Sequence, residues 1–489
     1  MASAASRGRR HLARLLTPRR APPSLVDPRI VVALPAGAFS PPRRRRAYRP
    51  LAGDTTPVLA TGNVSLETPA FCVWGANTAV GKTLVSAGLA AAARRRAVPF
   101  LYLKPVQTGF PDDSDADFVA TRAGHGPVAT MGPHAAVAAH GSVDAGSARH
   151  GSSAALDRPL DAPGSSSYPF WAHTSFAWRR ATGPQAAVTE EGRAASDDEI
   201  LAAVTAHLAQ FADHCVGPAA AAFTSGGGAG VAVVETAGGV CSPAPSGTLQ
   251  CDAYRPMRLP AVLVGDGALG GISVTIAAMD ALAMRGYDLV AVVIADEGHG
   301  NAEAVREYAE KHRAAGGGGG YASGEYSGDD RLARPEVFAL DRVPDRPSVL
   351  GGAFGASSAE CAAGGEIYEW LDDNARAFDA ALARMTRWHD RRVEALKSAP
   401  DRAMRHLWWP FTQHDLVARS DVAVIDSRHG EDFGVYVSDA AGVGGDSAWG
   451  LGEFGGGPGA VQLRFDGAAS WWTQGVSGAL HARLVRAAA

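Results

Sequence analysis

One segment constrains this chain more than any other: Gly75-Ala-Asn-Thr-Ala-Val-Gly-Lys-Thr83. It follows Ala70-Phe-Cys-Val-Trp74, an apolar run with the length of a buried strand, and precedes a helix-forming stretch at 84–96. Glycines in such a loop let backbone N–H groups converge, and the helix behind them adds the positive end of its dipole. A Lys followed by Thr at the junction supplies an ammonium for phosphate oxygens and a hydroxyl for Mg²⁺. The loop therefore predicts nucleotide phosphate contacts from Gly75, Asn77, Thr78, Ala79, Val80, Gly81, Lys82 and Thr83, with the metal at Thr83. Its glycines are separated by one residue more than in the usual pattern.

Strand and helix signals alternate beyond the loop. Pro99-Phe-Leu-Tyr-Leu103 reads as a second strand, and order resumes near Trp171 with a helix over 197–211. Strands at 231–235, 261–265, 289–295 and 337–340 then alternate with helices at 272–285 and 302–313. The runs show little in–out alternation, as expected of strands covered on both faces. The pattern predicts an α/β fold around a doubly wound, mostly parallel sheet of the P-loop NTPase type. Residues 1–68 read as presequence and tether, and 69–345 as the phosphate-binding domain, with a flexible insertion at 124–167. A helical connector over 346–403, with a long amphipathic helix or helical pair at 366–397, leads to a different segment at 404–489.

The net charge of −4 conceals an uneven distribution. Residues 1–50 hold twelve Arg and a single acid, Asp27, so the remainder is acidic. The Arg-rich start predicts an organelle transit peptide, and the sparseness of Ser and Thr favours the mitochondrial matrix over a plastid. An acidic body argues against nucleic acid as a partner, and no run of about 18 apolar residues predicts a membrane span. Five cysteines without a C-x-x-C pair predict neither a disulfide framework nor a zinc site. Against 42 arginines there are four lysines, Lys82, Lys104, Lys311 and Lys397. A composition so biased keeps Lys where Arg would not serve, and two of the four lie in motifs.

Further motifs follow the loop in order: Tyr102-Leu-Lys-Pro-Val-Gln-Thr-Gly109, Asp113-Ser-Asp-Ala116, Phe176-Ala-Trp178, Val234-Glu-Thr-Ala-Gly-Gly239 and Val264-Gly-Asp-Gly-Ala-Leu-Gly-Gly-Ile-Ser273. Each falls at or just beyond the carboxyl end of a predicted strand, where open α/β sheets bind ligands. Together, over about residues 70–345, they resemble dethiobiotin synthetase. The resemblance implies ATP- and Mg²⁺-dependent ring closure of 7,8-diaminononanoate with CO₂, through a carbamate and a carbamic-phosphoric anhydride, in biotin biosynthesis. It implies Lys82, Lys104 and Thr108 as catalytic groups and Thr83, Asp115 and Glu235 as Mg²⁺ ligands. Thr108, Gly238, Gly239, Gly270 and Gly271 are implied toward the substrate. Fixed ammonium groups suit the approach of two anions, and hard oxygen ligands suit a hard cation. Asp115 stands among Asp112, Asp113 and Asp117, which leaves its register open. Gln185 and Ala268 depart from the family pattern, and Asp296–Asn301 is where the adenine is expected. The family also implies small-molecule substrates and a homodimer.

A second cluster comprises His406-Leu-Trp-Trp-Pro-Phe-Thr-Gln-His414, Val424-Ile-Asp-Ser-Arg428 and Phe465-Asp-Gly-Ala-Ala-Ser-Trp-Trp-Thr-Gln-Gly475. It resembles the start of diaminopelargonic acid aminotransferase, in the order found in the bifunctional biotin-pathway protein of plants. The resemblance implies Trp409, Phe411 and Trp472 in a substrate pocket. Pyridoxal phosphate (PLP) chemistry requires a Schiff-base lysine, and none follows Lys397. Residues 404–489 are therefore expected to be an incomplete domain start without aminotransferase activity, with PLP confined to a full-length form. Two other readings stand beside the synthetase: another ATPase or amidoligase with the same deviant loop, and a non-catalytic docking fragment.

Overall fold

Numbered along the chain, two short strands, β1 (Ile30–Val32) and β2 (Val64–Ser65), precede seven strands that pair in parallel. These are β3 (Ala70–Gly75), β4 (Phe100–Thr108), β5 (Phe170–Trp178), β6 (Val231–Gly239), β7 (Ala261–Val264), β8 (Leu289–Ala295) and β9 (Glu336–Leu340). The computed structural model describes residues 30–32, 64–124, 169–216, 229–311, 334–344, 358–409, 413–429, 432–437 and 459–465. Most of the expected presequence, nearly all of the expected insertion, the glycine run at 316–320, Phe411 and Trp472 lie outside the described residues. Both β1 and β2 fall within the stretch expected to be presequence and tether.

The parallel sheet has the order β5-β4-β6-β3-β7-β8-β9. From β3 the chain moves outward to β4 and β5, returns to insert β6 between β4 and β3, and then extends the opposite edge. The direction of winding reverses beside β3, so the carboxyl ends of β3, β4 and β6 open on a crevice. The doubly wound sheet expected from the alternation is present.

Along β3 successive side chains face opposite ways. Cys72 and Trp74 join one core, which α4 (Asp197–Val216), α5 (Gly271–Met284) and α6 (Asn301–Lys311) cover with Phe211, Leu282 and Val305. Phe71 and Val73 join the other. Its cover is α1 (Lys82–Arg95), α2 (Asp115–Arg122), α7 (Ser358–Asp373) and α8 (Ala375–His406), with Leu89, Val119, Trp370 and Phe378. A short α3 (Pro184–Glu191) follows β5. The expected helical pair is α7 and α8, and Asn374 marks the break, its side chain accepting from Asp341 N at 2.9 Å.

The 32 residues of α8 serve two sheets. Phe378, Leu382 and Met385 pack into the parallel-sheet core, whereas Leu396, Ala399 and Ala403 pack with Val424, Tyr436 and Val461. The latter belong to an antiparallel sheet of order β1-β10-β11-β12-β2, formed by β10 (Val422–His429), β11 (Asp432–Tyr436) and β12 (Ala460–Phe465) with the two early strands. Between the two halves of α8, Arg392 donates to both Asp426 oxygens at 2.8 and 2.7 Å, and both residues are buried. No described helix is long and apolar enough to cross a membrane.

The crossing of α1 and α8 depends on Gly88, where an added Cβ would stand 2.3 Å from the Phe378 ring. Gly88→Ala is expected to lower stability by about 1–3 kcal/mol through overpacking, read as a lower urea midpoint at constant slope. Adding Phe378→Leu should recover part of the loss; a double variant that loses the full sum of both would contradict the contact.

Candidate active site

The loop after β3 closes over a short distance because its glycines permit it. A Cβ on Gly75 would sit 2.7 Å from Asn77 O and 3.1 Å from Lys82 Cδ. Gly81, at φ 92°, turns the chain into α1 without a side-chain cap, so no side chain claims the first-turn amides. Ala79 also adopts a positive φ, 60°, a conformation uncommon outside glycine. The amide of Thr78 donates to Asn77 Oδ1 at 2.8 Å. Lys82 and Thr83 open the helix directly behind this turn.

Two elements converge on Thr83, and a third joins them. Its hydroxyl lies 3.1 Å from Asp115 Oδ1, at the start of α2, and 3.0 Å from Glu235 Oε1 on β6. Lys104, from β4, places Nζ 2.6 Å from Asp115 Oδ2 and 2.8 Å from Glu235 Oε1. The ammonium thus bridges the two carboxylates expected from the motifs, and of the four neighbouring acids it is Asp115 that reaches the cluster. Glu235 is fully buried, and Lys104 and Lys82 are nearly so.

The charges act on one another. Burial disfavours the Lys104 cation, but Asp115 and Glu235 outweigh it and raise its pKa above the ordinary lysine range. Lys82 moves the other way: burial first, then repulsion from Lys104, lower its pKa to about 8 despite attraction from Glu235 and Asp115. One ammonium is thereby fixed as a cation, while the other sits near its titration point.

Sequence reading missed the groups that hold these side chains. Ser86 Oγ and Tyr102 OH donate to Glu235 Oε2 at 2.7 and 3.0 Å. Gln107, buried in the Lys-Pro-Val-Gln-Thr-Gly motif, accepts from Asp115 N at 3.3 Å and donates to Asp113 O, which pins the start of α2. Gln250 brackets Ala237, accepting from its N–H at 3.1 Å and donating to its carbonyl. Period two on β4 pairs Tyr102 with Lys104, and helical spacing pairs Ser86 with Thr83; those were the available signals.

The other expected residues are less tightly joined. Gly238 has φ 76°, and a Cβ on Gly239 would lie 3.4 Å from Ala76 O and Asn77 Cα, so this strand end abuts the phosphate loop. The Gly239 N–H donates to Ser242 Oγ at 2.8 Å. Thr108 ends β4, partly exposed, and makes no hydrogen bond to the cluster. Gly270, at φ 91°, precedes α5, and a Cβ on Gly271 would meet Asp266 O at 2.1 Å. Ala268 accepts from Asn301 Nδ2 at 2.8 Å, and Asp296 accepts backbone N–H groups of its own loop, including His299 N at 2.9 Å.

No group of three His, Cys, Asp or Glu suited to a metal occurs among the described residues. The donors here are instead one hydroxyl and two carboxylates. Such a set suits Mg²⁺, which binds through few protein oxygens and completes its shell with water and phosphate.

Removing the Lys104 ammonium would leave two carboxylates facing each other with little solvent. Lys104→Met is expected to destabilise the fold by about 3–5 kcal/mol at neutral pH, measured by urea denaturation. Adding Glu235→Gln should restore part of that stability, and equal destabilisation of both variants would argue against the bridge.

Comparison with known proteins adds an independent line. Residues 70–159 match the family model described as an AAA domain. The chain is 36% identical over 441 residues to the bifunctional dethiobiotin synthetase/7,8-diamino-pelargonic acid aminotransferase, mitochondrial, of Oryza sativa subsp. japonica. That match covers 86% of this chain and 45% of the relative. The protein of the same name in Arabidopsis thaliana is 33% identical over 87% of this chain and 45% of its own length. An ATP-dependent dethiobiotin synthetase of Methylobacterium nodulans is 29% identical over 46% of this chain and 79% of its own length. The chain spans about 45% of the length of the bifunctional relatives. Over most of its own length the chain is thus similar to the bifunctional dethiobiotin synthetases of plants, the likeness that its motifs indicated.

Proposed function

We propose that this chain closes the ureido ring of dethiobiotin, consuming ATP, CO₂ and 7,8-diaminononanoate. The observation that carries the reading is the Lys104 ammonium held between Asp115 and Glu235, beside Thr83 at the phosphate loop. One amine of the substrate adds to CO₂ and gives a carbamate with loss of a proton. A carbamate oxygen attacks the γ-phosphorus and ADP departs. The second amine then attacks the carbonyl carbon, loses a proton and expels phosphate, closing the ring. The loop amides and Lys82 hold the triphosphate, and Lys104 offsets charge where the two anions meet. Its raised pKa makes it a fixed cation rather than a proton carrier. Thr83, Asp115 and Glu235 would hold Mg²⁺, which when bound neutralises phosphate oxygens and polarises the phosphoryl group. Thr108 is assigned to the carbamate or γ-phosphate, and Gly238, Gly239, Gly270 and Gly271 to the substrate. The plant relatives are named mitochondrial, and this together with the Arg-rich start supports the proposal of a matrix location for this chain. A homodimer is proposed from the family alone.

ADP release with diamine and bicarbonate present, and with each withheld, tests the reading. Release that requires both supports it. Release without the diamine points to another ATPase with the deviant loop, and no release from folded protein points to a docking role. Lys82→Ala is expected to cut turnover by about 10²–10³-fold or more while the fold survives. Because the Lys82 proton is lost as pH rises through about 8, kcat/KM for ATP should fall on that alkaline limb. The residual activity of Lys82→Ala, which has no ammonium to titrate, should lack the limb; an identical profile would remove Lys82 from the role.

A further inference from the structure

The two oxygens of Glu235 have different surroundings. Oε2 accepts two neutral hydroxyls, Ser86 Oγ at 2.7 Å and Tyr102 OH at 3.0 Å, and neither residue has any exposed surface. Oε1 receives Lys104 Nζ at 2.8 Å and Thr83 Oγ1 at 3.0 Å, the groups that also reach Asp115. Ser86 stands on the helix α1 and Tyr102 on the strand β4, so both hydroxyls are carried by rigid elements. Packing alone does not call for either one. Tyr102 lies in the core with Phe71, Val73 and Phe100, and Ser86 stands on the helix whose Val85 and Leu89 pack into that same core. An apolar side chain would fill both places without the cost of burying a hydroxyl.

Two hydroxyl donors from the surrounding core engage Oε2, whereas the partners of Oε1, Lys104 and Thr83, are the ones it shares with Asp115, so Oε1 is the oxygen turned toward the cluster. Mg²⁺ binds one carboxylate oxygen at a time in a tight octahedron, whereas Ca²⁺ takes more oxygens at longer range and readily accepts both from one carboxylate. We propose that Ser86 and Tyr102 hold Glu235 to one-oxygen coordination and thereby set a preference for Mg²⁺ over Ca²⁺. The proposal rests on the reading of Glu235 as a metal ligand. Neither hydroxyl touches the ion or the phosphates; both are positioning residues that act through the carboxylate.

The test uses the full chain with a non-hydrolysable ATP analogue and Mn²⁺, whose free concentration is read by electron paramagnetic resonance. Mg²⁺ and Ca²⁺ are each titrated as displacing ions. In the Ser86→Ala/Tyr102→Phe double variant, the ratio of the two displacement constants should move about tenfold toward Ca²⁺, the order of a hydrogen bond to a charged group. Each single variant should move it part of the way. Tyr102→Phe keeps the ring, so it preserves packing and serves as the variant that must fold; circular dichroism checks this. An unchanged ratio, or an equal loss of both affinities, overturns the proposal. Glu235→Gln separates the two levels. If it weakens Mn²⁺ binding while the double variant leaves the ratio unchanged, the ligand assignment stands and the selectivity proposal fails. If it leaves Mn²⁺ binding unaltered, both fall.

Discussion

A carboxylate with no access to solvent has to be answered by its surroundings, and in this protein that requirement organises the centre of the molecule. Glu235 gathers Thr83 and Ser86 from α1, and Tyr102 and Lys104 from β4. An isolated buried charge would cost several kcal/mol, whereas a paired and hydrogen-bonded one is tolerated. The elements that meet here are therefore joined by electrostatics as well as by packing. Asp115 enters the same arrangement from α2, whose first residue donates its backbone N–H to Gln107.

Sheet order makes this meeting possible. Because β6 inserts between β4 and β3, the strand carrying Glu235 lies beside both the strand carrying Lys104 and the strand leading into the phosphate loop. Short-range glycines finish the arrangement: Gly75 allows the loop to fold back, and Gly239 allows β6 to end against it. Sequence neighbours contribute little; the decisive pairs are separated by 32, 131 and 152 positions. Such an assembly stands or falls with the whole sheet.

Much of this was legible in the residues. The phosphate loop, the two scarce lysines and the strand-end acids announce themselves by type and spacing, and β3, β6, β7, β8 and β9 are apolar runs of ordinary strand length. Strand β5 was harder, because His173, Thr174 and Ser175 are polar yet buried, so its centre lacks the expected signature. Helices α2 and α3 have eight residues each, too few for a clear period. The supporting hydroxyls and carboxamides were invisible for a different reason. Ser86, Tyr102, Gln107 and Gln250 are common residue types, and only the fold reveals that their polar atoms point at the cluster or at the loops beside it. The antiparallel sheet could not be anticipated either, since it takes strands from positions 30–32 and 64–65 as well as from 422 onward.

The long helix α8 carries a consequence of its own. Its inward residues, Phe378, Leu382, Met385, His389, Arg392, Leu396, Ala399 and Ala403, recur at intervals of three and four and form one continuous stripe along two cores. A helix turns about 100° per residue. An insertion of one residue between Met385 and Leu396 would swing the second half of the stripe by that angle, so that either core, but not both, could remain in register. Insertions of about seven residues would nearly preserve the facing. The length of this segment is therefore quantised, and genetic drift in it should proceed by substitution or by whole pairs of turns.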